Sequence, residues 1–290
     1  MTAFWSRRRL FATLVAALAA VPSALLLGGC GGSGSSDNGG IGGGGGGSTS
    51  GRLEVYMADA PGDPDVTAVE MTITRVEANL NGGWQTISTT PVDVNLLDLA
   101  KQEVLVGANT IPAGRYNQVR FFVEDATVTD ETGTHELEIP SAERTGIKVN
   151  VNYDVEPNAV TGVLLDFNVY KSIVRTGNGR YKLQPVIPAV VRTASGTVTG
   201  RVVDGVGTPL AGAVVRAIYE QGPAYPVGTE VNVGTTLSDG SFKIWALLPG
   251  VYRLDAVYTD PPTGIDRVAI KSGVGVAAPN NTDVGTIVIP

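Results

Sequence analysis

Residues 146–156 read GIKVNVNYDVE and alternate apolar with polar side chains without a break. The apolar positions are Ile147, Val149, Val151, Tyr153 and Val155. A period of two is the pattern of a β-strand with one buried and one hydrated face. Similar stretches recur along most of the chain, and 38 glycines and 17 prolines supply turns between them. The sequence therefore predicts an all-β protein.

Three nearby stretches refine this prediction. VLLDFNV (163–169) places Asp166 on the face opposite Leu165 and Phe167. We expect a solvated carboxylate there, with a buried one as the alternative. In VEMTITRVEANL (69–80) the apolar phase shifts by one residue, which predicts a β-bulge near Thr74 and Arg75. NLLDLAKQ (95–102) predicts a short helical turn.

A change of pattern near Ala194 divides the chain into a first module, residues 52–192, and a second module, residues 195–290. Both are expected to be β-sandwich-like. In the second module, Asp239-Gly240 lies between alternating runs and predicts a hairpin. If Phe242 and Ile244 face the core, Lys243 and Trp245 point outwards.

An outward Trp245 beside Lys243 is a candidate ligand contact, because an exposed indole stacks on a sugar ring or an aromatic group. The alternative is that Trp245 covers the edge of the sandwich or docks on the first module. Large aromatic side chains are usually mostly buried, which favours the alternative.

Composition excludes several classes of site. The single cysteine and single histidine, His135, exclude a four-cysteine zinc site and any histidine-rich metal site. The net charge is −7; removing residues 1–29 removes three arginines and no acidic residue, which leaves −10. An acidic chain without a basic block disfavours nucleic-acid binding.

The first 51 residues predict export and anchoring. Arg7-Arg8-Arg9 precede a largely apolar run that ends in Leu27-Gly28-Gly29-Cys30. This resembles the lipobox of bacterial lipoproteins, which implies a signal peptide over residues 1–29 and lipid attachment, including palmitate, at Cys30. A plain signal peptide and an uncleaved membrane helix are the alternatives. Residues 30–51 are rich in glycine and serine and predict a flexible tether of about 25 Å. By the same resemblance, Gly31 favours the outer membrane of a Gram-negative bacterium.

DAPGDPD (59–65) is a candidate calcium loop. Asp59, Asp63 and Asp65 place three hard oxygen ligands on a turn bent by prolines and a glycine. The alternative reading is favoured, because aspartates in turns commonly accept hydrogen bonds from nearby backbone amides. No other cofactor is expected.

Two further resemblances concern the modules. VYMADAP (55–61), IPAGRYNQVRF (111–121), LDFNVYKSI (165–173) and YKLQPVI (181–187) occur in the order seen in the bacterial lipoprotein family called domain of unknown function 4382, to which the first module is similar. Residues 197 to about 260, with Pro209 to Ala213 and the TxxDGxFxIxxLxPGxY pattern from Thr236 to Tyr252, resemble the carboxypeptidase regulatory-like, transthyretin-like sandwich. That resemblance implies an accessory module without catalytic groups, and related sandwiches bind glycans.

These observations favour a non-catalytic, lipid-anchored protein of the cell envelope whose β modules bind a glycan or a protein partner. A structural spacer is one alternative. A hydrolase that uses only carboxylates, such as Glu124-Asp125 or Asp130-Glu131, is the other.

Overall fold

The computed structural model describes residues 49–59, 65–140 and 145–290. The described part is nearly all β-strand and lies in one compact unit, Gly46–Pro290. The all-β prediction is therefore confirmed. Residues 1–48, which include Cys30 and most of the tether, and Asp63 lie outside the described residues.

The part of the first module that the structure describes forms twelve strands. They are β1 (Ser50–Ala58), β2 (Val66–Leu80), β3 (Gly83–Ser88), β4 (Val92–Asn95), β5 (Val104–Pro112), β6 (Gly114–Asp130), β7 (Gly133–Glu138), β8 (Ile147–Val155), β9 (Val160–Asp166), β10 (Ile173–Arg175), β11 (Tyr181–Leu183) and β12 (Ala189–Val191). The described helices between them include a 3-10 helix at Leu96–Ala100 and an α-helix, α1, at Val169–Ser172.

These strands form two sheets that enclose one core. Sheet I has four strands in the order β12-β9-β1-β5, with β1 and β9 parallel. Sheet II has eight strands, with β10-β11-β7-β6-β2-β3 in line, β4 paired to β2 and β8 paired to β6. Side chains from both sheets, such as Leu53 and Phe121, belong to the same buried cluster.

Three predictions made from short stretches of the first module are confirmed. Strand β8 buries every second residue from Ile147 to Val155 and hydrates those between. The register of β2 against β6 shifts between Ile73 and Arg75, at the predicted bulge. The predicted helical turn is the 3-10 helix that begins at Leu96.

The second module forms seven strands in two sheets. They are β13 (Gly196–Asp204), β14 (Val214–Gln221), β15 (Glu230–Thr235), β16 (Ser241–Leu247), β17 (Gly250–Asp260), β18 (Ile265–Val276) and β19 (Asn281–Ile289). Sheet III has the order β16-β13-β19, and sheet IV has the order β15-β14-β17-β18. Their facing side chains form a second buried cluster, which includes Phe242 and Ile244 as predicted.

The hairpin predicted at Asp239-Gly240 is wrong. A turn does form there, and Gly240 has a φ of +77°. However, β15 pairs with β14 in sheet IV, whereas β16 pairs with β13 in sheet III. The turn therefore carries the chain from one sheet of the sandwich to the other, and the two flanking strands do not pair.

Candidate functional site

The two modules meet through a small apolar cluster. Ala58, Leu164 and Val190 of sheet I pack with Trp245 and Ala246 of β16. Trp245 does point away from the core of its own sandwich, but it is only 6% exposed because sheet I covers it. The exposed stacking platform considered for Trp245 is therefore not present. Docking on the first module, the alternative, is what the structure shows.

Asp166 lies in this junction and is fully buried, which contradicts the solvated position expected for it. Its Oδ2 accepts a hydrogen bond from Asn232 Nδ2 at 2.5 Å, across the modules. The same Asn232 amide donates to the backbone oxygen of Trp245 at 2.9 Å. Among the described residues, Asp166 Oδ1 has no hydrogen-bond partner. Burial raises the pKa of Asp166 to about 7, although the Asn232 hydrogen bond acts in the opposite direction.

Further polar contacts cross the junction. Asn168 Nδ2 donates to Asn232 Oδ1 at 3.3 Å, and the Lys171 ammonium pairs with the Glu230 carboxylate. Asn168 and Asn232 are both buried. Buried polar side chains are usually hydrogen-bonded, and the contact between the two amides gives Asn168 and Asn232 a partner across the junction.

A pocket of about 490 Å³ lies beside the junction, within the range of about 300–1,000 Å³ typical of small-molecule sites. Its main wall is the outer face of sheet III, and Ala100 and Lys101 of the first module form the side wall. The pocket therefore lies on sheet III at the edge of the area that the first module covers. The second-module residues that line it are Thr199, Gly200, Arg201, Leu237, Ser241, Phe242, Lys243, Asp283, Gly285 and Thr286.

A β-bulge shapes the wall of this pocket. The register of β13 against β19 shifts between Thr199 and Arg201, so that two residues of β19, Val284 and Gly285, lie opposite the single residue Gly200 of β13. Gly285 has a φ of +68°, a conformation that glycine adopts without strain. Its backbone amide donates to Asp283 Oδ1 at 2.9 Å, which orients that carboxylate.

The charged groups of the pocket differ in how they are paired. Arg201 Nε donates to the backbone oxygen of Asp239 at 2.8 Å, and Lys101 Nζ lies 3.8 Å from Asp239 Oδ2. Lys243 Nζ lies 3.4 Å from the centre of the Trp245 ring. Burial lowers the pKa of Lys243, while Glu103 acts to raise it. Sequence reasoning named Lys243 but missed Lys101, Arg201 and Asp283, because no local motif brings them together.

The candidate calcium loop is only partly described. Asp59 is buried, and its Oδ1 accepts a hydrogen bond from the backbone amide of Val169 at 3.0 Å. Asp65 is exposed, and Asp63 lies outside the described residues. Among the residues that the structure describes, no three His, Cys, Asp or Glu side chains are grouped as metal ligands. The calcium site stays a prediction, and so does its alternative, because Val169 lies 110 residues away in the chain and its amide is not a nearby amide of the turn.

The acidic pairs considered for hydrolysis lie in different surroundings. Glu124 and Asp125 are both exposed. Asp130 Oδ1 contacts Thr132 and His135, and its Oδ2 accepts from the Tyr181 hydroxyl at 2.7 Å. These hydrogen bonds, with Thr132 first, lower the pKa of Asp130. A general acid in glycoside hydrolysis needs a raised pKa.

Within the described ranges, no helix combines the length and the apolar character needed to cross a bilayer.

Comparison with solved structures shows only remote similarity. A 9R-lipoxygenase from Cyanothece PCC8801 shares 17% identity over 41% of this chain and 19% of its own, with a TM-score of 0.26. The Bacillus anthracis TIE protein shares 12% over 83% of this chain and 34% of its own, with a TM-score of 0.25. BcpA, the major pilin subunit of Bacillus cereus, shares 11% over 83% of this chain and 71% of its own, also at 0.25. TM-scores this low carry no weight for fold or function.

The comparison with curated proteins finds no match. One family model matches the chain, and it covers residues 50–185, which contain strands β1 to β11. The match supports a domain of the family described as Domain of unknown function (DUF4382) over residues 50–185.

Proposed function

We propose that this protein is a non-catalytic lipoprotein of the cell envelope whose two β modules bind a glycan in the pocket beside their junction. The observation that carries the proposal is that pocket, because both modules line it and its volume of about 490 Å³ suits a small ligand. Its lining combines hydroxyl, ammonium, guanidinium and carboxylate groups with Leu237 and the edge of Phe242. A sugar presents hydroxyl groups and apolar C–H faces, which such a lining matches.

Anchoring is proposed to occur through a lipid on Cys30. The residues that support it are Leu27-Gly28-Gly29-Cys30 after an apolar run, and the Gly/Ser-rich tether that follows. Several acyl chains at about 0.8 kcal/mol per buried methylene give stable attachment. We place the protein at the outer membrane of a Gram-negative bacterium, on the basis of Gly31.

For the second module, the proposal includes membership of the carboxypeptidase regulatory-like, transthyretin-like sandwiches. The residues from Thr236 to Tyr252 support it, together with the two packed sheets of the module. Calcium on the DAPGDPD loop is a further proposal that the glycan site does not require.

A glycan array probed with the detergent-solubilised, full-length protein tests this function. Specific binding that is lost in Thr199→Trp, which places an indole at a half-exposed lining position, supports the proposal. The thermal midpoint of this variant is measured alongside, so that loss of binding is distinguished from loss of folding. Binding that survives the substitution contradicts a glycan site in this pocket.

A structural spacer, or a module that binds an envelope protein, is the second candidate. The buried contact of Trp245 with Ala58, Leu164 and Val190 favours it, because such a contact holds two modules as one body. An empty glycan array together with a specific crosslink to one envelope protein supports this candidate.

A further inference from the structure

Lys243 differs from the other charged residues that line the pocket. Lys101 and Arg201 both contact Asp239, and Asp283 accepts from the Gly285 amide. Among the described residues, Lys243 makes no ion pair, and Glu103, whose charge acts on it, is already paired with Arg192. The pocket wall therefore presents an ammonium group with no carboxylate of its own.

The position of Lys243 is fixed without an acidic partner. The ammonium lies 3.4 Å from the centre of the buried Trp245 ring, a cation–π contact that holds the side chain at the edge of the junction. Because the residue is half-buried, water solvates its charge incompletely. An anion that entered the pocket would meet a charge already held in place, so little side-chain entropy would be lost on binding.

The surroundings restrict the type of anion. Thr199, Ser241 and Thr286 line the pocket with hydroxyl groups, and Asp283 supplies a fixed acceptor. An acceptor carboxylate repels a bare anion but binds the hydroxyl groups of a sugar. The ligand that matches both features carries one negative group and several hydroxyl groups.

We propose that the pocket selects saccharides that carry a carboxylate, such as uronic acids, and that the Lys243 ammonium pairs with this carboxylate while Asp283 accepts from a sugar hydroxyl. This inference rests on the proposed glycan-binding function and specifies its ligand. The net charge of −7 works against non-specific attraction of acidic polymers, so a preference for them requires a local site.

Calorimetric titration of the full-length protein in detergent micelles tests the inference with two probes that share one sugar backbone and differ at the carboxyl groups, which are ionised in one and methyl-esterified in the other. They are trigalacturonic acid and its fully methyl-esterified form. We expect the acid to bind about tenfold more tightly than the ester, which corresponds to about 1.4 kcal/mol. Lys243→Met should abolish this preference by weakening binding of the acid. Lys243→Arg should retain the preference.

Lys148→Met is the matched control, because Lys148 is an exposed lysine on β8 that does not line the pocket. Equal affinity for acid and ester in the wild type overturns the inference but leaves the proposed function standing. Absence of binding by both probes, with binding of other neutral glycans, also overturns only the inference. A preference that persists in Lys243→Met overturns the role of Lys243. Displacement of the trisaccharide by millimolar acetate overturns recognition of the sugar.

Discussion

Replacing Asp166 by asparagine is expected to change the pH dependence of stability. Asp166 is fully buried between the modules, and its pKa is raised from 3.8 to about 7 by that burial. Between these two pH values the folded protein binds a proton at this site that the unfolded chain does not. The free energy of unfolding therefore falls as pH rises from about 4 to about 7, as far as this group is concerned.

The magnitude follows from the difference between the two pKa values. A difference of about 3 pKa units corresponds to about 4 kcal/mol of stability, present below pH 4 and absent above pH 7. The Asn variant keeps an oxygen for Asn232 Nδ2 to bond and removes the charge. It places an amide at the position of Oδ1, which has no partner among the described residues, at a cost of about 1–3 kcal/mol. We expect Asp166→Asn to be about 1–3 kcal/mol more stable than wild type at pH 8 and equal or less stable at pH 5.

Urea unfolding of both proteins at several pH values between 5 and 8 measures this difference directly. Subtracting wild type from variant at each pH cancels the other titrating groups. Asp154→Asn is the matched control, because Asp154 is an exposed aspartate on β8 of the same module. This control removes a carboxylate that lies in water and not between the modules. A difference for Asp166→Asn that is flat from pH 5 to 8, or that falls with pH, would refute the reasoning.

Three further predictions concern single sites. Cys30→Ser should move the protein from the detergent phase to the aqueous phase in a Triton X-114 partition, and a variant that stays in the detergent phase contradicts the lipid anchor. Trp245→Ala should lower the free energy of unfolding by about 3–5 kcal/mol because the indole is buried at the junction. A loss below about 0.5 kcal/mol, the usual range for surface substitutions, would mean that the junction opens in solution. A calcium site that includes Asp59, Asp63 and Asp65 predicts a higher thermal midpoint in millimolar calcium, and an unchanged midpoint disposes of it.

The sequence predicted the strand face on which the Trp245 and Asp166 side chains lie. It did not predict that these faces are buried. Alternation correctly placed both side chains on faces that point away from the core of their own module. In the structure these two outward faces cover each other, so Trp245 and Asp166 are both buried. Nothing within a few residues of either position indicates that a second module lies there. Asn232, which bonds Asp166 from 66 residues further along the chain, was not identified for the same reason.

The turn at Asp239-Gly240 shows a similar limit. The residue types correctly predicted where the chain turns, because positive φ is a local requirement that glycine meets. They did not predict which strands pair, since β15 and β16 join different sheets.

By itself, the sequence determined the all-β class, the buried face of strands such as β8, the bulge in β2 and the position of the helical turn. These features depend on the period of apolar residues and on backbone preferences, which are properties of neighbouring residues. Only the tertiary structure decided that Trp245 is buried, that Asp166 has a raised pKa, and that Lys243 lines a pocket without an acidic partner. These features depend on contacts between residues that are remote in the chain, whose free energies come from burial, pairing and loss of water at a surface that forms only when the modules pack.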